Sequence, residues 1–241
     1  MPRPAPGLVN DVLIAVSLVG ACLVGAMAIA PPGPVNGGGA GASGSASGYV
    51  PLIDGDPPIT WPCNAELDVA VHLDQVPAAQ RHGLLNDIDI SLRQITAGSP
   101  YRLTRTSPVT VIPTNDTLAS VAANADADLI IAVDDHTRPD ATDLLTPGTW
   151  GTGGLLYRGA HAYVGWVLID ITALEQLPAG GGPRSRQALI IHEVLHALGL
   201  GHTDDTGSVM QPALCSPTGV LSDADIAGLG RLNLIACSQA T

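Results

Sequence analysis

The sequence predicts one folded domain of mixed strands and helices, preceded by a flexible spacer. Three observations predict it. Leu67-Asp68-Val69-Ala70-Val71-His72-Leu73 alternates apolar and polar residues, as a half-buried strand does. Residues 127–134 form a nearly continuous apolar run of strand length, which suits a strand covered on both faces. Residues 77–95 put Leu84, Leu85, Ile88, Leu92 and Ile95 on one helical face.

At 241 residues and 46% hydrophobic content, the chain can bury one full-sized core after an N-terminal extension. A formal charge of −12 excludes nucleic acid as a partner, because no basic patch exists to neutralise phosphates. All ten basic residues are Arg, and Lys and Phe are absent. Both absences fit the coding bias of a GC-rich genome of the actinobacterial kind, which is a remark about codons rather than physics.

Residues 12–30 carry no charge and are long enough to span a bilayer. Arg3 and the terminal amine precede them, which keeps the N-terminus inside. Residues 1–30 therefore predict export, by a signal peptide cleaved at Ala26-Met27-Ala28 or by an uncleaved single transmembrane anchor. A lipoprotein signal at Val19-Gly20-Ala21-Cys22 is a third reading, weakened by the apolar run continuing past Cys22. Residues 31–58 are rich in Pro, Gly and Ser and read as a linker too polar and small-chained to offset its ordering entropy. The domain is expected to begin near Ile59 and run to residue 241.

Within that domain His72 falls on the polar side of its strand and is expected at the surface, as is His82 on the first helix. Residues 101–106 and 109–112 read as short strands, and residues 161–170 as a longer one. Asp134-Asp135-His136 lacks the ligand periodicity of a calcium loop and reads as a solvated loop. Gly180-Gly181-Gly182-Pro183 breaks the chain, and a helix follows to about Leu198.

That helix carries the chemistry. In His192-Glu193-Val194-Leu195-His196-Ala197-Leu198-Gly199-Leu200-Gly201-His202, helical spacing puts His192 and His196 on one face, able to hold one ion. Glu193 lies beside them, placed to take a proton from a metal-bound water. Gly199 lets the backbone turn, and His202 can then supply a third nitrogen. Three protein ligands with a fourth position open are the mark of a catalytic zinc site. Chance produces these five fixed positions in such a chain with a probability on the order of 10⁻⁵, so a short-motif coincidence is a small risk.

The motif, followed by Ser208-Val209-Met210-Gln211-Pro212, resembles the HExxHxxGxxH metallopeptidases with a Met-turn, the metzincins, and their matrixin branch in particular. Residues 221–229 resemble the start of the last matrixin helix. The resemblance is dense over residues 188–232 and diffuse over residues 59–187. It implies an α+β domain: a twisted five-stranded mixed sheet, two long helices behind it and a C-terminal helix. It implies a zinc endopeptidase with Glu193 as general base, His192, His196 and His202 as ligands, and Met210 packed beneath them as support. The edge strand that accepts peptide is expected within residues 137–154. Pro212 occupies a position where some metzincins place a Tyr, so no Tyr assistance is expected. His161 does not match the spacing of a matrixin structural zinc, so only the catalytic Zn²⁺ is expected, and calcium has no clear motif. Residues 31–58 hold no Cys, so a cysteine-capped latent form is not expected.

Cys63, Cys215 and Cys237 make an odd set in an exported domain. The resemblance implies Cys63–Cys237, since a Cys after a Trp at the domain start recurs with one at the C-terminus. The rival, Cys215–Cys237, closes a shorter loop. The expected partner is a protein or peptide substrate, with membrane contact only through an uncleaved N-terminal segment, and the chain is expected to be a monomer. The competing function is a catalytically silent, zinc-containing extracellular binding or adhesion module, against which the retention of Glu193 weighs.

Overall fold

The computed structural model describes residues 12–19, 49–106, 108–145, 148–213 and 218–240. In chain order the elements are β1 (Val12–Val19), β2 (Glu66–His72), α1 (Ala78–Gly98), β3 (Arg102–Arg105), α2 (Leu118–Ala125) and β4 (Leu129–Asp134). There follow β5 (Thr149–Arg158), β6 (His161–Asp170), α3 (Ile171–Gln176), α4 (Arg186–Ala197) and α5 (Asp223–Gln239). The cleavage site, the lipobox, the Gly/Ser-rich part of the spacer and Cys215 lie outside the described residues.

Five strands between residues 66 and 170 form the mixed sheet of the α+β class, and β1 adds a sixth at its edge, in the order β1-β5-β6-β4-β2-β3. The β2–β3, β2–β4 and β4–β6 pairs are parallel, and β5–β6 is an antiparallel hairpin. Every residue of β4 is buried. Its odd positions, Leu129, Ile131 and Val133, join the core under α1 and α4. Its even positions, Ile130 and Ala132, join Trp166, Leu168 and the apolar face of α2 on the other side. A strand with no polar face needs cover on both sides, and the short α2 supplies the second cover.

The start of the domain is tied to the end of α4. Trp61 Nε1 donates to the carbonyl of Ala197, the last residue of α4, at 2.9 Å. A disulfide joins Cys63 to Cys237 in α5, and Asn64 and Asn233 exchange hydrogen bonds beside it.

Several expectations change. His72 is buried rather than at the surface, with Nδ1 3.0 Å from the Val109 carbonyl oxygen. The chain after β3 continues along β2, with the Thr106 N–H donating to Val69 and the Val109 N–H to Val71, and covers His72. Residues 109–112 form no strand of their own. Residues 49–53, composed like linker, pack on the turn after α4: Leu52 N–H donates to Gly199 and Gly201 N–H donates to Val50, each at 2.8 Å. Asp134 is not solvated. It is buried and accepts from the Thr142 and Asp135 N–H groups, while His136 Nδ1 meets Asp170. The helices α2 and α3 had no counterpart in the pattern reading.

Candidate metal centre

Ser185 opens α4 by accepting from the N–H of Ala188 at 3.1 Å, which satisfies one of the helix's free first-turn donors. The helix is buried on all sides from Gln187 to Ala197. Asp87 on α1 anchors it, accepting from Gln187 Nε2 at 2.9 Å and from the Gly180 N–H at 3.0 Å. The helix ends where Gly199 takes φ +102, a value that strains a residue with a Cβ. Gly199 N–H bonds His196 O and Leu200 N–H bonds Leu195 O, each at 2.9 Å, closing the last turn. The chain then doubles back and brings His202 over the helix.

The structure brings together the three histidines that the spacing selects. Their Nε2 atoms stand 3.0 Å apart for His192–His196 and 3.2 Å for each pair with His202. His192 Nδ1 lies 2.7 Å from the Val209 carbonyl oxygen, and His196 Nδ1 lies 2.7 Å from that of Leu200. A carbonyl only accepts, so both Nδ1 atoms carry the proton and both Nε2 atoms present lone pairs. Converging lone pairs repel unless a cation lies between them. Tetrahedral zinc with Zn–N of about 2.0–2.1 Å needs nitrogens roughly 3.3 Å apart, close to the spacing here. The donor set therefore fits zinc. Among the described residues this is the one group of three or more metal-ligating side chains that converges. His72, His82, His136 and His161 take no part.

His192, Glu193 and His196 are wholly buried, and His202 is partly exposed. Burial pushes His192 down to about 3, holds His196 well below the ordinary histidine range, and lowers His202. The same desolvation raises the Glu193 carboxyl well above the usual carboxylate range. Both Glu193 oxygens are buried without a hydrogen-bond partner among the described residues. A carboxylate in that position is costly unless it meets a cation, a water or a substrate proton.

Two glycines outside the motif also belong to this site. An ideal Cβ on Gly151 would lie 2.8 Å from Glu193 Oε1, and one on Gly153 would overlap the Glu193 carbonyl oxygen. These glycines let β5 run directly against the base-bearing turn of α4. Asp225, at the third position of α5, was also unmarked. It is buried, completes a capping box with Ser222, and accepts from Ser208 Oγ at 2.5 Å and from the Val209 N–H at 3.1 Å. Ser208 Oγ in turn accepts from the Met210 N–H at 2.9 Å. Met210 is buried in the same core cluster as the apolar residues of α4, and Pro212 is exposed. An acidic residue three positions after a helix-capping Ser was the available signal for Asp225. A cavity of about 770 Å³ between α2 and β6 shares no residue with this site.

A sequence model of the matrixin family matches residues 181–233, from the glycine-rich break through α4, the Met-turn and the first part of α5. A search of curated proteins returned no match. The stretch similar to matrixins thus contains all three histidines, Glu193, Met210 and Asp225, on a matrixin-like α+β fold.

Proposed function

We propose that the protein is a zinc-dependent endopeptidase that hydrolyses peptide bonds with Glu193 as general base. The observation that carries this reading is a buried, unpaired carboxylate next to three convergent imidazole lone pairs. His192, His196 and His202 would hold the ion. Bound zinc polarises a carbonyl and acidifies a water molecule. Glu193 accepts a proton from the attacking water and later hands it to the leaving amine. Burial favours the protonated form of the Glu193 carboxyl, and a nearby cation favours the ionised, basic form. Val209 and Leu200 carbonyls fix the tautomer and orientation of two ligands.

The substrate is a protein or peptide, bound in extended form. The disulfide supports an exported, extracytoplasmic protein, with residues 1–30 as signal or anchor and the following spacer holding the domain away. No helix among the described residues is long and apolar enough to cross a membrane. A silent binding module would have no use for a buried unpaired base. The deciding experiment measures zinc content and peptide hydrolysis together. Glu193→Ala should keep one zinc per chain and lose hydrolysis, while His196→Ala should lose both. Hydrolysis by Glu193→Ala at the wild-type rate would overturn the mechanism.

A further inference from the structure

We propose that residues 12–19 act as an intramolecular strand that closes the substrate-accepting edge of β5 and holds the enzyme latent until the segment is released. The proposal rests on the protease reading above. Without β1, β5 is the edge of the sheet, and an edge strand presents a row of unpaired N–H and C=O groups that any extended peptide can complete. This edge lies at the reacting centre, because Gly151 and Gly153 bring β5 against Glu193. β1 pairs antiparallel along nearly the whole of it, from Val12 opposite Tyr157 to Val19 opposite Thr149. The register sets Leu18 opposite Gly151 and Val16 opposite Gly153. The segment therefore runs past the base in the backbone arrangement a substrate needs, and the two exclude each other.

The same residues belong to the uncharged run predicted to direct export. A strand paired with β5 cannot at the same time lie in a bilayer, where a spanning segment must satisfy its backbone internally. Cleavage within Ala26-Met27-Ala28 would separate the strand from the domain and open the edge. Maturation and activation then become one event, in a chain whose spacer has no Cys to cap the metal.

The test uses the full chain with zinc and two single variants, Val16→Pro and Ser17→Pro. Neighbouring residues of an antiparallel edge strand point their N–H groups in opposite directions, so only one of these prolines removes a bond to β5. Amide hydrogen exchange over residues 149–158 should rise in that variant and stay near wild type in the other. Equal exchange in all three forms overturns the strand, whatever the activity. Because the strand competes with substrate, its release should lower the KM for a peptide with kcat unchanged, about tenfold if the edge is open a tenth of the time. An unchanged KM in the variant that exchanges faster overturns the inhibitory role. No hydrolysis by any form, with zinc bound, overturns the protease reading and the inhibitory role with it, while exchange still decides the strand.

Discussion

The carbonyl oxygen of Val209 lies 2.7 Å from Nδ1 of His192, and the N–H of the same Val209 donates to Asp225 at 3.1 Å. One peptide segment thus links the first turn of α5 to one of the three convergent imidazoles. Asp225→Ala should leave Val209 and Ser208 without their acceptor and let the Met-turn drift. Zinc affinity should fall roughly 10- to 100-fold, the usual effect of losing an outer-shell partner. Competition with a chelator measures it, and unchanged affinity would mean that the turn holds its place without Asp225.

Gly151 tests how closely β5 must approach the base. In Gly151→Ala the new methyl would meet Glu193 Oε1 at 2.8 Å and Cγ at 2.9 Å, so the carboxylate must move. Zinc content should stay at one per chain while kcat drops about 100-fold, as for misplacing a catalytic group by an ångström. Wild-type kcat would show that Glu193 has room to spare.

Acid and alkali should destabilise the chelator-stripped protein by different groups. The unfolded chain protonates its histidines below their ordinary 6.5, while the fold holds His192 at about 3 and His196 well below normal. The unfolded state then binds more protons, so stability falls as pH drops from 6.5 towards 3. Glu193 has the opposite sign. The fold keeps its proton above the ordinary 4.5 while the unfolded chain releases it, so stability falls as pH rises from there. Between 4.5 and 6.5 the two histidines outweigh the single carboxyl, so this site favours folding most near pH 6.5. Denaturant midpoints against pH should show both arms, and Glu193→Gln should flatten the alkaline one alone.

The Cys63–Cys237 disulfide spans 174 residues. In the chain-entropy model its loss removes about 5 kcal/mol. Cys63→Ser should lower the denaturant midpoint accordingly. Because Trp61 bonds Ala197 two residues before that bridge, zinc should become easier to extract as well. A midpoint equal to wild type would show that the Trp61 and Asn64 contacts hold the ends together without the bridge.

The sequence by itself determined the features set by local geometry. The His192–His196 pair follows from helical pitch, the return of His202 from the Gly199 turn, and both are complete within eleven residues. β6 and β4 were legible because a buried strand must be apolar throughout, and α1 because its core face repeats with the helical period.

Tertiary structure decided what depends on distant chain. His72 sits at a polar position of an alternating strand, yet residues 108–112 fold over it and bury it. The helix α2 is only eight residues long, and its apolar face covers the second side of β4. Gly151 and Gly153 matter only because β5 presses on Glu193, and Asp225 because the Met-turn reaches it from sixteen residues upstream. Cys63 could have paired in more than one way on spacing alone, and the docking of α5 beside the first residues of the domain settled its partner. Local steric rules act within a few residues and can be read from them. Close approach, burial and pairing arise between segments that only the folded chain brings together.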